Sequence, residues 1–203
     1  MKIGVLGSGK GSNFQAIVDA VKSGKLKGVE IAVVISDVKD AYILKRAREN
    51  DIKAFYIDAA PYKTKLDGEA EKKYVNCLRD NGVELVVLAG FMRMIKGSIL
   101  EVFPGKIINV HPALLPSFPG LESWKQAVEY GVKVSGCTVH FVDRGMDTGP
   151  IIEQAVVHLE DGDTPESLHR KIQAEEHKAL PHAISLIRDG RIRFEGRKTV
   201  ISR

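Results

Sequence analysis

Leu85-Val86-Val87-Leu88-Ala89 is the stretch of sequence that decides the fold. Each of its side chains is apolar, and it lacks the alternation of polar and apolar residues that marks a strand with one solvent-facing side. A strand of this kind is buried on both faces, as in parallel sheets that helices cover on both sides. The stretch therefore predicts an α/β fold built around a parallel sheet.

Strand-like and helix-like segments alternate on either side of this stretch. The predicted strands of the first half are Lys2–Leu6, Glu30–Ser36, Lys53–Ile57, Glu84–Ala89 and Lys106–Val110. The predicted helices there are Ser12–Ser23, Asp40–Asn50, Lys65–Asn81 and Ile95–Val102. This alternation predicts a doubly wound, mostly parallel, Rossmann-like sheet with right-handed crossovers.

The second half predicts an antiparallel C-terminal extension of the sheet and a long final helix. After a short helix near Ser123–Tyr130, strands are predicted at Val134–Val142 and Ile151–Val157. The segment Asp163-Thr164-Pro165-Glu166 combines a cap, a first-turn proline and an acidic residue. It predicts the start of a helix that continues to Arg188.

Composition excludes several classes of protein. The chain has 203 residues, 44% hydrophobic and 28% charged, which is ordinary for a globular protein. Cys77 and Cys137 form no Cys-x-x-Cys pair, so a disulfide framework or cysteine zinc site is not expected.

Neither a signal peptide nor an apolar run near the roughly 20 residues of a spanning helix is evident, so we expect a cytoplasmic protein without a membrane partner. The net charge of +4 suits small anionic substrates as well as RNA, and the basic segment Arg188–Arg203 is interpreted as a solvated terminus.

A glycine-rich loop, Gly7-Ser8-Gly9-Lys10-Gly11-Ser12-Asn13, joins the first strand to the first helix. Glycines let the backbone approach an anion and a helix N-terminus presents free amides, so the loop predicts phosphate binding. Gly11 stands where a Walker A loop needs Ser or Thr, and Ser12 where the dinucleotide fingerprint has its third glycine. Asp37 ends the second strand, where a ribose-binding acid would lie, which keeps a nicotinamide dehydrogenase as an alternative. A tight turn capped by Ser12 or Asn13 is the purely structural alternative.

The strongest candidate for catalysis is the pair Asn109 and His111, at the end of a predicted strand that runs into a proline. Residues two apart in a strand point to the same face, so the amide and the imidazole project together. Asp147, in the Gly-bounded loop Asp143–Pro150, supplies a carboxylate that could complete the group. These groups suit attack of an amine on a formyl carbonyl: amide and imidazolium stabilise the oxyanion, and the carboxylate relays the proton. Purely structural roles for all three residues remain the alternative.

The chain resembles the phosphoribosylglycinamide formyltransferases, the folate-dependent enzymes of purine biosynthesis, over essentially its whole length. The stretches that carry the resemblance are Gly9 to Asn13, Leu88-Ala89-Gly90-Phe91-Met92-Arg93-Met94-Ile95, Asn109-Val110-His111-Pro112 with the following Ala113 to Gly120, and His140-Phe141-Val142 with the loop to Asp147. The resemblance implies transfer of a formyl group from 10-formyltetrahydrofolate to the amine of 5'-phosphoribosylglycinamide, without a metal.

The resemblance also implies the roles of the site residues. Asn109, His111 and Asp147 match the catalytic trio, in which His111 is the acid that serves the oxyanion and the departing folate nitrogen. Residues matched to the ribonucleotide site are Gly11, Ser12, Asn13 and Glu176. Residues matched to the folate site are Lys65, Met92, Arg93, Met94 and Ile95, together with Asn109.

We expect a single formyltransferase domain over residues 1–203, with a phosphate- and nucleotide-binding half at 1–100 and a folate-binding and catalytic half at 101–203. The expected partners are the two small-molecule substrates and no nucleic acid, in a monomer or a homodimer. Two relatives share the Asn-x-His and Asp chemistry. Methionyl-tRNA formyltransferase adds a C-terminal RNA-binding domain, and formyltetrahydrofolate deformylase adds an N-terminal regulatory domain, so the length of this chain favours the ribonucleotide transferase. The deformylase and a nucleotide-binding oxidoreductase stay open as alternatives.

Overall fold

A computed structural model describes residues 1–202 of the chain. The strands of this part are β1 (Lys2–Leu6), β2 (Glu30–Ser36), β3 (Ala54–Tyr56), β4 (Lys65–Leu66), β5 (Leu85–Leu88), β6 (Met94–Ile95), β7 (Ile107–His111), β8 (Val134–Phe141), β9 (Ile151–His158), β10 (Ile192–Glu195) and β11 (Lys198–Ile201). Its helices are α1 (Ser12–Lys22), α2 (Tyr42–Glu49), α3 (Gly68–Asp80), α4 (Ile99–Val102), α5 (Ser123–Tyr130) and α6 (Pro165–Arg188).

The central sheet of the described residues has seven strands in the order β3-β2-β1-β5-β7-β8-β9. Strands β3, β2, β1, β5 and β7 pair in parallel, and β8 and β9 continue the sheet in antiparallel fashion. The strand order reverses direction at β1, whose neighbours are β2 and β5. Open α/β sheets bind ligands at such a reversal. The predicted α/β class, with its mostly parallel sheet and antiparallel extension, is confirmed.

Strand β5 is buried on both faces, as its sequence predicts. Leu85 and Val87 belong to the core between the sheet and helices α1 and α6, which includes Phe14 and Leu180. Val86 and Leu88 belong to a second core, on the opposite face, which includes residues of α3 and α4. The apolar run therefore fills two cores at once, with successive side chains pointing to opposite faces.

Helix α6 begins where its sequence predicts. The Thr164 backbone N–H donates to Ser167 Oγ at 2.9 Å, and the Ser167 N–H donates to Thr164 Oγ1 at 3.2 Å. Pro165 occupies the first turn, where its missing N–H costs little. These contacts fix the N-terminal end of the helix that lies across the sheet against α1.

Two helices begin later than predicted, because a short two-stranded sheet precedes them. Strand β4, Lys65–Leu66, pairs in parallel with β6, Met94–Ile95. The first strand takes Lys65 and Leu66 from one predicted helix, and the second takes Ile95 from the other. Asp67 then accepts a hydrogen bond from the Gly68 N–H at 2.7 Å and caps α3. As a result, Ile95, the first residue of the predicted helix Ile95–Val102, is extended rather than helical.

The segment after Arg188, interpreted from the sequence as a solvated terminus, is largely exposed but forms a hairpin that the sequence analysis did not predict. Strands β10 and β11 form an antiparallel hairpin whose Phe194 ring lies 4.9 Å from the ring of Phe141 in β8. Thr199 Oγ1 donates to the carbonyl of Ile151 in the edge strand β9 at 2.5 Å. The hairpin thus packs against the antiparallel edge of the sheet; Arg203 lies outside the described residues. Across residues 1–202, no helix has both the length and the apolar character needed to cross a membrane.

Candidate active site

Asn109 and His111 lie at the C-terminal end of β7, beside the antiparallel strand β8. Asn109 is directly opposite His140 in the ladder, and the Asn109 Nδ2 and His140 Nε2 atoms are 3.2 Å apart. His111 is 4% exposed and Asn109 is partly exposed, so Asn109 is the more accessible of the two side chains. As predicted, the two side chains project to the same side of the strand.

The loop between β8 and β9 brings Asp147 to this pair. Asp143 Oδ1 accepts hydrogen bonds from the Gly145 N–H at 2.9 Å and from the Thr148 hydroxyl at 2.6 Å, which holds the loop in a tight turn. Asp147 adopts a left-handed backbone conformation, with φ of 55°. Its Oδ2 atom lies 3.4 Å from His111 Nδ1, so the structure brings the predicted trio together.

His140 fixes the direction of the Asn109 amide. Its Nδ1 atom lies 2.8 Å from the Phe141 carbonyl, which can only accept, so Nδ1 carries the hydrogen. Burial lowers the pKa of His140, which favours the neutral ring with Nε2 free to accept from the Asn109 amide. An amide nitrogen has two hydrogens, and the second remains for an oxyanion. The sequence did not identify this orienting role of His140.

His111 is held between a carbonyl and a carboxylate. Its Nε2 atom lies 2.8 Å from the Phe118 carbonyl, so Nε2 carries a hydrogen and Nδ1 faces Asp147. Asp147 Oδ2 also accepts the Gly120 N–H at 2.8 Å, which ties the carboxylate to the loop after β7. Protonation of His111 places its second hydrogen on Nδ1, opposite that carboxylate. The two ring nitrogens thus have different partners, a carbonyl for Nε2 and a carboxylate for Nδ1.

The glycine loop lies next to α6. Gly11 has φ of 71°, and a Cβ there would lie 2.8 Å from Ile43, so the position requires glycine for conformation and for space. Asn13 Nδ2 donates to Glu176 Oε2 at 2.9 Å. Among the described residues no side chain caps α1, so the alternative of a turn capped by Ser12 or Asn13 is wrong. The amides at the start of α1 remain without a capping side chain.

Glu176 is an unusually buried carboxyl group. It is 4% exposed, and loss of solvent raises its pKa to about 7, against the opposing effect of the Asn13 hydrogen bond. Asn13 Oδ1 is also buried, and it has no hydrogen-bond partner within residues 1–202. A carboxyl group and an amide oxygen that need partners are suited to a ligand hydroxyl.

The residues matched to folate, apart from Asn109, lie close to one another in and beside the β4–β6 pair. Met92 is 54% exposed, Arg93 and Met94 are partly exposed, and Ile95 is in the core. Lys65 lies beside Met94 in the β4–β6 ladder, with its ammonium group 2.5 Å from the Asp67 carboxylate. The structure thus groups these residues, with Ile95 able to offer only its backbone.

Asp37 is not available as a ribose-binding acid. Its Oδ2 atom accepts from Arg93 Nε at 2.7 Å, and its Oδ1 atom accepts from the Ser8 hydroxyl at 2.5 Å. Asp37 at the end of β2 was the observation that favoured a nicotinamide dehydrogenase. Its ion pair with Arg93 gives it an internal structural role instead. In the part of the chain that the structure describes, no group of three or more His, Cys, Asp or Glu residues could hold a metal ion.

Comparisons with known proteins show which family the chain belongs to. The formyl transferase family model matches residues 1–184 of the chain. The chain belongs to the formyl transferase family. It is 42% identical over 183 residues to the phosphoribosylglycinamide formyltransferase of Bacillus subtilis (strain 168), a match that covers 90% of this chain and 92% of that protein.

Two solved structures are similar over the whole of this family member. Glycinamide ribonucleotide transformylase 1 from Symbiobacterium toebii is 49% identical, with a TM-score of 0.95 over 100% of this chain and 94% of that one. A formyltetrahydrofolate deformylase from Pseudomonas syringae pv. tomato str. DC3000 is 27% identical, with a TM-score of 0.91 over 100% of this chain and 66% of that one. The fold is thus shared by both kinds of enzyme, whereas the sequence is nearer to the transformylase.

Proposed function

We propose that this formyl transferase moves the formyl group of 10-formyltetrahydrofolate to the amine of 5'-phosphoribosylglycinamide in purine biosynthesis. The observation that carries the proposal is the His111–Asp147 contact of 3.4 Å beside Asn109. This is the group that formyl transfer to an amine needs: two donors for an oxyanion and a base for the amine proton.

The proposed reaction begins when the amine attacks the formyl carbon. Negative charge then develops on the formyl oxygen, where the free hydrogen of the Asn109 amide and protonated His111 stabilise it. Asp147 accepts the proton that the amine nitrogen loses, directly or through water. His111 gives a proton to the folate nitrogen as its bond to carbon breaks, and the proton on Asp147 returns to His111. The amine proton therefore ends on the folate nitrogen, and the enzyme is regenerated.

The geometry leaves room for this proton path. A charge-assisted N–H···O bond usually spans about 2.7–2.9 Å, whereas His111 Nδ1 and Asp147 Oδ2 are 3.4 Å apart. The carboxylate is held in place by the Gly120 N–H rather than by the imidazole. We therefore infer that the proton passes between His111 and Asp147 through a substrate atom or a water, rather than along a short direct hydrogen bond.

The two substrates occupy opposite sides of the trio in this proposal. The amides of Gly11, Ser12 and Asn13 bind the phosphate at the N-terminus of α1. Glu176 and the unpartnered Asn13 oxygen bind ribose hydroxyls. The folate lies against Asn109 and the segment Met92 to Ile95, with Lys65 at its edge.

The deformylase remains the second candidate, because a formyltetrahydrofolate deformylase shares this fold at a TM-score of 0.91. Water as acceptor needs no surface for ribose or phosphate, whereas the glycine loop and Glu176 supply one. The identity of 49% to the transformylase against 27% to the deformylase also favours the ribonucleotide acceptor.

An acceptor-dependence assay separates these two functions. Purified protein is mixed with 10-formyltetrahydrofolate, and release of tetrahydrofolate is followed with and without 5'-phosphoribosylglycinamide. We expect consumption of the donor only when the amine is present, with one formylated product for each donor consumed. Rapid release of formate without the amine would assign the chain to the deformylases instead.

A further inference from the structure

One buried carboxylate holds together the loops that the two substrates would contact. Asp37, at the end of β2, has a side chain that is only 2% exposed, and its partner Arg93 has one that is 19% exposed. Asp37 accepts from the Ser8 hydroxyl of the glycine loop on one oxygen and from Arg93 Nε on the other. Each of the two carboxylate oxygens thus accepts one hydrogen bond.

The same two partners also hold the backbone of their neighbours. The Ser8 hydroxyl oxygen accepts from the Met92 N–H at 3.0 Å, and the Ser8 N–H donates to the Gly90 carbonyl at 2.9 Å. Arg93 Nη1 donates to the Tyr62 carbonyl at 2.7 Å. A continuous chain of hydrogen bonds therefore runs from the glycine loop through Asp37 to the segment Met92 to Ile95.

We propose that Asp37 is a positioning residue that couples the two substrate sites, so that binding of the ribonucleotide strengthens binding of the folate. The inference rests on the proposed function, because it takes Gly11 to Asn13 as the phosphate site and Met92 to Ile95 as the folate site. A phosphate bound by backbone amides fixes the glycine loop, which fixes Ser8. Through Asp37 and the Met92 N–H, the folate segment is then ordered before folate arrives.

The charge of Asp37 is essential to this arrangement. Arg93 can only donate, the Ser8 hydroxyl donates its single hydrogen to Asp37, and a carboxylate accepts on both oxygens. An asparagine has the same shape but carries no charge, and it can accept from Arg93 on its oxygen only by turning its NH₂ group toward the Ser8 hydroxyl. Asp37→Asn therefore loses the charge-assisted bond to Arg93 and leaves the Ser8 hydroxyl hydrogen without its acceptor, which weakens the link between the glycine loop and the folate segment without removing a side chain from the core.

The test measures binding rather than turnover. Tetrahydrofolate, which carries no formyl group to transfer, is titrated into the full-length protein with and without saturating phosphoribosylglycinamide. We expect the ribonucleotide to tighten tetrahydrofolate binding at least about fivefold in the native chain, a common size for coupling between two sites. In Asp37→Asn the factor falls to near one, although each ligand still binds alone.

Two further variants keep the outcome clear. Asp40→Asn changes an exposed aspartate in the same β2–α2 connection and keeps the native coupling factor. Ser8→Ala leaves the Asp37–Arg93 pair intact but removes the link to Met92, and it lowers the factor as Asp37→Asn does. This variant also serves as the test if Asp37→Asn fails to fold.

Three results would overturn the inference. A native chain that binds both ligands with affinities independent of each other has no coupling for Asp37 to transmit. An unchanged factor in Ser8→Ala, or in folded Asp37→Asn, shows that the coupling takes another route. A native chain that binds neither ligand refutes the proposed function itself, which separates that failure from the failure of the coupling.

Discussion

At the scale of single residues, backbone carbonyls determine the hydrogen-bond directions in the site. A carbonyl oxygen can only accept, so the ring nitrogen that it contacts must carry a hydrogen. The carbonyls of Phe141 and Phe118 fix one hydrogen each on His140 and His111. His140 then orients the amide of Asn109, while His111 turns its other nitrogen toward Asp147. In the proposed reaction, the donors for the oxyanion are therefore arranged before any substrate binds, which is how such groups lower a barrier most effectively.

Loss of the imidazole at position 111 should abolish most of the activity. We expect His111→Ala to reduce kcat by about 10²–10³-fold or more, since one oxyanion donor is typically worth that much and the variant also loses the acid. The measurement is steady-state transfer of the formyl group, with circular dichroism to verify the fold. His182→Ala, on the exposed face of α6 where His182 pairs with Glu153, is the matched control and keeps native turnover. Near-native kcat in His111→Ala would refute the catalytic assignment.

The buried Glu176 should make the protein less stable as pH rises. Its pKa is raised from 4.5 to about 7 in the folded state, so between these values the native protein keeps a proton that the unfolded chain loses. Stability is therefore highest below the unfolded pKa, and it falls by about 1.4 kcal/mol per pH unit across this window, or about 3 kcal/mol in total. Glu176→Gln removes this dependence, because its amide does not ionise.

We expect Glu176→Gln to gain stability relative to the native chain as pH rises from about 5 to about 8, while its KM for the ribonucleotide increases. Urea denaturation at several pH values measures the first effect, and steady-state kinetics the second. Glu175→Gln is the control, because the carboxylate of Glu175 pairs with Lys178 at the helix surface. A stability difference that does not change with pH would show that Glu176 is ionised throughout.

At the scale of elements, a carboxylate from α3 caps the short helix α4. Glu71 is 4% exposed; its oxygens accept from the Ser98 N–H at 3.0 Å, the Ser98 hydroxyl at 2.9 Å and the Ile99 N–H at 3.3 Å. Helix α4 is a single turn, which cannot form alone. The cap therefore links the segment after β6 to α3, close to the residues matched to folate.

Gly97→Ala should disrupt this cap. A Cβ at Gly97 would lie 2.4 Å from both carboxylate oxygens of Glu71, so one of the two must move. We expect a loss of about 1–3 kcal/mol in the free energy of unfolding, the usual cost of overpacking a filled site. Urea denaturation measures it, with Gly162→Ala as the control because a Cβ at Gly162 meets nothing within 4 Å. Equal stability of the two variants would contradict the cap.

Elements with strong local signals were predicted from the sequence, and elements that depend on distant partners were not. The signals for β5 and α6, an apolar run and a cap followed by a proline, each lie within a few consecutive residues. Strands β4 and β6 have two residues each and form only because they pair with one another. The hairpin of β10 and β11 did carry a signal, alternating residues around Gly196, but its basic side chains favoured a solvated tail.

The same distinction applies to the site. Asn109 and His111 are two residues apart on one strand, so their shared face follows from the strand period alone. The contact with Asp147 depends on the left-handed turn of a loop between two other strands. The register that places His140 opposite Asn109 is set by the packing of β8 against β7, and the pair of Asp37 with Arg93 joins residues from separate loops. These contacts join residues that are far apart in the sequence, so sequence patterns alone do not predict them.

At the scale of the whole molecule, the two halves expected from the sequence share one sheet and the core that packs between this sheet and helices α1 and α6. Strand β7 of the second half pairs with β5 of the first, and α6 packs with α1 over the sheet. The same core contains Phe14 and Ile17 from the first half and Leu180 and Ile184 from the second. The proposed phosphate site on one half and the proposed catalytic trio on the other are thus joined through common packing.

We therefore propose that residues 1–203 unfold as one cooperative domain. Separating the halves would expose the edge of β5 and the apolar side of α1, and neither half keeps a complete core. Differential scanning calorimetry should give one transition whose calorimetric and van't Hoff enthalpies agree. A fragment of residues 1–100 should show no cooperative transition, because β5 then lacks β7, and α1 lacks α6. Two separate transitions in the intact chain, or a folded 1–100 fragment, would show instead that the nucleotide-binding half is an independent domain whose link to the catalytic half is a hinge.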